Sequence, residues 1–319
     1  DHYLYTKESF ERVRELLKDD GILFLSFEVT RPWIGSRIDR GLTDVFGQKP
    51  QAFEVRSQGV LGWGGVSFVS AKNPETITKI LDSDPGLKNY IDKNARVYEG
   101  NTRPLTDNWP YLYLDEPRLP IIHVIVALVL GGALFIFRRT FLGQNTINVP
   151  MFLWGAAFLL FEFQNISKTS LLFGITWVTN LFTISAILIL LLFANYTVSK
   201  KWISPKTAFV CLIATLISHI FIPLDALNNL STVVKIIFVS LFLNLPVYFG
   251  GIIFTTMFVK AKDKANALGS NFLGSVFGGF AEMITFLFGI PALLIVVILL
   301  YSARFLMVLS LQLPPVASF

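Results

Sequence analysis

The chain has 319 residues, of which 53% are hydrophobic and only 15% charged, with a formal net charge of +5 and a single cysteine. A soluble domain carries about 25% charged residues, so the composition excludes an ordinary water-soluble protein over the whole length. The lone Cys211 excludes a disulfide framework or a cysteine-based zinc site within one chain. Lys and Arg collect between apolar runs, not in a basic stripe interleaved with aromatics, so no nucleic-acid partner is expected.

The charge is concentrated in residues 1–118, which read as a water-soluble segment. No charged stretch followed by an apolar one opens the chain at Asp1, and the sequence reads as one that starts within a domain. Thr6 is a good N-cap, with Glu8 in the first turn and Phe10, Val13, Leu16 and Leu17 at helical spacing. Asp19-Asp20-Gly21 stops that helix. Ile22–Val29 then reads as a strand whose continuous apolar run implies burial on both faces, as in a parallel sheet. A helix follows over about residues 33–46, with Pro32 suited to its first turn. Residues 51–56 and 60–71 read as strands joined by Ser57-Gln58-Gly59, which favours an antiparallel hairpin. Asn73 caps a short helix that has Pro74 at its first position. Helix, buried strand, helix and hairpin in this order make the C-terminal half of a doubly wound α/β domain with an antiparallel last strand. No G-x-G-x-x-G turn follows a strand, and Gly62-Trp63-Gly64-Gly65 reads as structural.

From Pro120 the chain is a series of apolar runs of about 17–25 residues, the length that crosses ~30 Å of hydrocarbon. They cover roughly 120–137, 150–167, 171–197, 207–223, 232–259, 267–288 and 290–310. Run 150–167 is the most polar, with Glu162, Gln164 and Asn165, and is expected to dip into the membrane and return. Residues 1–118 would then share the cytosolic side with Lys200–Lys206 and Lys260–Lys264. Lys168 is expected in a loop. Glu162 and Glu282 stand out because a charge at membrane depth costs roughly 2.5–3.5 kcal/mol. Each is either a proton, cation or polar-substrate site, or a packing carboxyl bonded to Asn165, Asn271 or Ser270. His219 has no second ligand at helical spacing, so no metal site is expected. Gly269, Gly274, Gly278 and Gly279 form a small-residue face. Its Gly274/Gly278 pair serves internal packing or a homo-oligomer contact. Asn244 and Pro246 mark a kink. Trp154, Trp177 and Trp202 are candidate interfacial anchors. No internal repeat is apparent.

Several stretches resemble the membrane-attached branch of the spermidine synthase / S-adenosylmethionine-dependent methyltransferase-like family. Tyr3-Leu4-Tyr5-Thr6-Lys7-Glu8-Ser9-Phe10-Glu11, followed by Leu16–Leu23, is similar to one helix–strand stretch of those enzymes, and Gly62–Val69 to a late strand. Leu105-Thr106-Asp107-Asn108-Trp109-Pro110-Tyr111-Leu112-Tyr113-Leu114 resembles a segment of the membrane-attached branch. So do Gly155–Glu162, Ser170–Asn180 and Leu268–Glu282.

The resemblance implies a class I methyltransferase-like half domain at 1–118, a transmembrane domain of 6–7 helices at 119–312, and a tail at 313–319. It implies aminopropyl or methyl transfer from decarboxylated S-adenosylmethionine or S-adenosylmethionine. The family's cofactor-binding glycines, ribose-holding acid and catalytic aspartate all precede the Thr6 helix and have no counterpart here, so this chain holds no cofactor by itself. Glu28, Trp63, Asp107 and Trp109 are the residues left to line a pocket. The intramembrane candidates are Glu162, Asn165, Asn271 and Glu282. The expected setting is a bacterial inner membrane, with the bilayer and a small molecule as partners. The alternative reading is a transporter-like or structural membrane module with a degenerate soluble domain.

Overall fold

The computed structural model describes residues 2–55, 64–100, 102–143, 145–174, 177–222, 227 and 230–312, with backbone alone for residues 178 and 304–312. Trp63 and its turn, Pro223, Asp225 and the 313–319 tail lie outside the described residues. The chain divides into two compact units, Asp1–Arg118 and Leu119–Phe319.

In the first unit, helix α1 (Lys7–Leu16) starts where the Thr6 hydroxyl accepts from the Ser9 amide at 3.3 Å. Strand β1 (Ile22–Phe27) leads to α2 (Pro32–Phe46), which has Pro32 in its first turn and ends on Gly47 at φ 76°. Strands β2 (Gln51–Val55) and β3 (Gly65–Ala71) pair antiparallel, as the hairpin pattern predicts. Helix α3 (Pro74–Ser83) is capped by Asn73. Helix α4 (Pro85–Lys93) was not foreseen, although Asp84 before Pro85 is a cap signal, and its carboxylate accepts from the Leu87 amide.

The sheet order is β1-β3-β2, and β3 runs antiparallel to both neighbours, so β1 and β2 are parallel to each other. The expectation for β1 needs correcting. Its only strand neighbour among the described residues is the antiparallel β3, and its residues alternate in exposure, with Ile22 and Phe24 outward. Leu23, Leu25 and Phe27 pack on the core of Phe10, Ile34, Ile38, Leu42 and Phe68. An all-apolar run does not distinguish a strand covered on both faces from one covered on one.

The second unit is helical. It comprises α5 (Ile121–Ile136), α6 (Arg138–Leu142), α7 (Val149–Phe173), α8 (Trp177–Lys200), α9 (Pro205–Ser218) and α10 (Thr232–Phe238). A π-helical turn (Val239–Leu243) leads to α11 (Leu245–Lys260), then α12 (Lys264–Ala281), a 3₁₀ turn (Glu282–Ile284), α13 (Thr285–Phe288) and α14 (Ala292–Gln312). Among the described residues, four stretches are long and apolar enough to cross a membrane: Val149–Phe173, Thr179–Lys200, Thr232–Lys260 and Lys264–Phe288. The helices of 121–136, 205–218 and 292–303 are apolar but shorter.

Residues 150–167 do not turn back. They lie in one unbroken helix of 25 residues, about 37 Å long. Lys168, expected in a loop, is inside that helix, and its ammonium donates to the His219 carbonyl at 3.3 Å. Of the polar residues that suggested a re-entrant segment, Gln164 and Asn165 are buried against protein and Glu162 is half-buried. The kink foreseen at Asn244 and Pro246 is realised as the π-helical turn and the break after it. Trp154 is not an interfacial anchor. It is buried with its ring 4.4 Å from that of Tyr301, whereas Trp177 and Trp202 are exposed at helix ends.

Helices α7 and α12 run parallel and in register. Asn266 donates to the Thr146 carbonyl, Asn271 to that of Met151 and Ser275 to that of Gly155, each pair separated by 120 positions. A Cβ on Gly274 or Gly278 would run into the Phe152 or Ala156 carbonyl, so glycine is what permits this approach. The same offset relates Phe152-Leu153 to Phe272-Leu273 and Glu162 to Glu282. Helix α7 ends in Leu-Phe-Gly at Gly174 (φ 79°), and α13 ends in the same letters at Gly289 (φ 84°), outside the 120-residue register. The constant offset is the packing register of two parallel helices, read from their contacts and not from the letters.

Candidate functional site

A polar hollow of the first unit lies at the C-terminal ends of β1 and β2. There the chain leaves β1 through Glu28–Arg31 into α2, and β3 begins at Gly65. In open α/β sheets, ligands bind in crevices outside the carboxyl ends of strands. The cleft has a volume of about 670 Å³ and is lined by Glu28, Arg31, Ser36, Glu54, Tyr98 and Glu99 among others.

Its outer wall is the segment after α4. The Glu54 amide donates to the Asn94 carbonyl at 2.9 Å and the Arg96 amide to the Ala52 carbonyl at 2.8 Å, so residues 94–96 run along β2. Tyr98 then lies flat on Phe68, with ring centroids 5.7 Å apart. This is where Gly35 matters: any side chain there would occupy the Tyr98 ring. Burial pushes the Tyr98 hydroxyl above its ordinary value, while Arg96 pulls it down.

The electrostatics of the cleft are acidic. Arg96 pairs with Glu54. Glu28 and Glu99 are exposed and form no ion pair among the described residues. Arg31 sits 5.8 Å from the centre of the Trp33 ring. Among the described residues of the lining, two carboxylates and one guanidinium are without an ion-pair partner, a balance that favours a cationic ligand.

Of the residues singled out from the sequence, Glu28 lines this cleft, and Asp107 and Trp109 do not. Asp107 accepts from the Thr6 hydroxyl at 2.7 Å, and its amide donates to Glu8, so it fastens the start of α1. Trp109 is buried between the guanidinium groups of Arg37 and Arg103, at 5.3 and 5.4 Å. Arg37 was missed. It is 1% exposed and donates to the carbonyls of Arg103, Tyr111, Leu112, Leu114 and Asp115 at 2.6–3.2 Å. Burial lowers its pKa to about 10, against the opposing pull of Asp115. Its signal was present: Arg37 stands beside Ile34, Ile38 and Leu42, on the apolar stripe of α2.

No known protein family, curated protein or solved structure matches this chain.

The intramembrane candidates fall apart into two kinds. Asn165 and Asn271 are helix-to-helix donors, Asn165 to the Leu243 carbonyl at 2.8 Å and Asn271 to the Met151 carbonyl at 3.1 Å. Glu162 and Glu282 are half-buried at matching positions of the parallel pair. The expected carboxyl partners are engaged elsewhere, since Ser270 accepts from the Asn148 amide. Beside Asn165, buried Gln164 Oε1 and His219 Nε2 have no hydrogen-bond partner among the described residues.

Proposed function

We propose that this chain is part of an integral membrane, spermidine-synthase-like or methyltransferase-like protein, and that the Glu28 cleft belongs to the acceptor side of its site. The sheet order carries the reading. Two mutually parallel strands with an antiparallel strand between them are compatible with the C-terminal end of a doubly wound domain that has an antiparallel last strand, and the cleft lies at their carboxyl ends. The chemistry of the lining also supports it, because an amine acceptor is a cation and Glu28 and Glu99 are unpaired acids.

The residues present do not fit the adenosyl half of a sulfonium cofactor. No Gly-rich turn opens a helix in residues 1–118, and no acid stands where such a turn would present a ribose.

The test is calorimetric titration of the full chain in detergent with spermidine, and with a dicarboxylate as control. Binding of spermidine alone, weakened about tenfold in Glu28→Gln/Glu99→Gln, is the expected result. No heat at millimolar spermidine, or equal binding by the double variant, sinks the reading. Sidedness is a separate check. If all the apolar helices cross, Arg138, Lys200 and Lys260 share one side and the chain enters α5 from the other. A reporter at residue 118 that lies outside the cytosol would rule out sulfonium chemistry, whose cofactor is cytosolic.

A second reading, a transporter-like module, is favoured by the parallel pair. Parallel repeats related about the membrane normal recur in transporters, with binding residues near the midplane. In that reading Glu162 and Glu282 are equivalent sites for a proton or cation. Uptake of methylammonium by proteoliposomes under an imposed proton gradient, lost in Glu162→Gln and Glu282→Gln, is its signature. Gradient-independent leakage would dismiss it.

A further inference from the structure

Helix α5 stands apart from the bundle over much of its length. One end is tied by His123, whose ring lies 5.0 Å from that of Phe286, and the other by the turn into α6. Between these ends a groove of about 850 Å³ opens toward α7 and α12. Its walls are apolar: Leu134, Phe135, Phe152, Leu273, Phe277 and Phe280. At its mouth stand Arg138 and Arg139, both exposed, and neither forms an ion pair among the described residues. Arg138 is held in place by donating to the Phe135 carbonyl at 2.9 Å and lying 4.3 Å from the Phe135 ring centre. Asp263, at the start of α12, is engaged: it accepts from the Asn145 side chain at 2.7 Å and from the Asn266 amide at 2.9 Å.

Two guanidinium groups that form no ion pair among the described residues, set over an apolar groove, are complementary to an anion with long hydrocarbon chains. Guanidinium matches phosphate in a bidentate fashion. Basic pockets between membrane helices take anionic lipid headgroups. The groove has the volume of a ligand site, and a Cβ on Gly131, which lines it, would meet nothing within 4 Å. The space is therefore open down to the backbone of α5.

We propose that this groove is a binding site for an anionic glycerophospholipid, with its phosphate on Arg138 and Arg139 and an acyl chain between α5 and the α7–α12 pair. The lipid completes the packing of α5 and is separate from the Glu28 cleft.

The experiment uses the full chain in nanodiscs of mixed dioleoyl phosphatidylglycerol and dioleoyl phosphatidylcholine, with lipid retention read by native mass spectrometry after release. Preferential retention of phosphatidylglycerol is expected, falling about tenfold in Arg138→Gln/Arg139→Gln and unchanged in Lys200→Gln/Lys201→Gln. Gly131→Phe fills the groove without touching the charges and should lower retention by a similar factor. This second route keeps the proposal testable if the arginine variant fails to fold. Equal retention of the two lipids by the unaltered protein, or an undiminished preference in Gly131→Phe, overturns it. Full displacement by millimolar inorganic phosphate also overturns it, since the site would then recognise free phosphate and not a lipid.

Discussion

The Asn165 side chain on α7 donates to the Asn244 side-chain carbonyl at 3.1 Å and, through the same nitrogen, to the Leu243 backbone carbonyl at 2.8 Å. Asn244 in turn donates to the Val239 carbonyl at 3.1 Å. Pro246 has no amide to give, and the π-helical turn frees carbonyls that α11 cannot satisfy. In hydrocarbon such a break is tolerated only where protein supplies the missing bonds. Asn165→Leu removes the donor and keeps the volume. The expected cost is about 1–3 kcal/mol, the usual penalty for stranding a buried acceptor. Urea–dodecyl sulfate unfolding of the second unit would measure it, and a double-mutant cycle with Asn244→Ala should show coupling between the two. Purely additive effects would mean the contact is incidental.

The α7–α12 contact gives a second expectation. Gly274→Ala places a methyl group against the Phe152 carbonyl, and neither helix backbone can yield cheaply. Destabilisation of about 1–3 kcal/mol is expected on the scale of over-packed interiors. Gly132→Ala, where the added carbon meets nothing within 4 Å, should be neutral or slightly stabilising. If the two variants unfold alike, close parallel packing is not what the glycine serves.

What could be read from the letters divides by the range of the interaction. The caps at Thr6 and Asn73 and the proline at the start of α2 are local chemistry, settled within four residues, and all three occur where expected. The span-length runs are local too, and four of them give helices long enough to cross. The neighbours of β1 are not local, so the Ile22–Phe27 run could not say which face is covered. Glu28 is on the candidate cleft because a strand end is predictable. Asp107 and Trp109 were grouped with it through the resemblance of the 105–114 segment, and contacts to Thr6 and Arg37 decide their places. The register of α7 on α12 needed both helices in hand, because so few letters match at the 120-residue offset.

Arg37 provides a third prediction. Five carbonyls of the 103–115 segment converge on one guanidinium, and Trp109 lies against it. Lysine has three donors on a flexible stem and cannot reproduce a planar fork. Arg37→Lys is therefore expected to lose most of what Arg37→Met loses, at least about 1–3 kcal/mol, the usual penalty for stranding buried acceptors. Hydrogen exchange of the 103–115 amides in the full chain should rise in both variants. Protection retained by Arg37→Lys would show that charge alone suffices.

Asp39 carries the pH dependence. It is buried on α2, and burial raises its pKa above the ordinary carboxylate value, with Lys49 opposing. A carboxyl that binds its proton more tightly when folded favours the folded state while protonated. Between the unfolded value near ~3.9 and the raised folded value, the unfolded chain holds fewer protons, so stability falls as pH rises. Above the folded value the penalty is complete and constant. Asp39→Asn abolishes this titration and keeps the shape. The variant should match the native chain in acid and exceed it in stability at neutral pH, the gap opening across that window. Urea titrations of the full chain in mild detergent from pH 4 to 8, read by circular dichroism, would follow it. An Asp39→Asn protein less stable than the native chain at pH 7 would show that the carboxylate is held by favourable contacts that outweigh its desolvation.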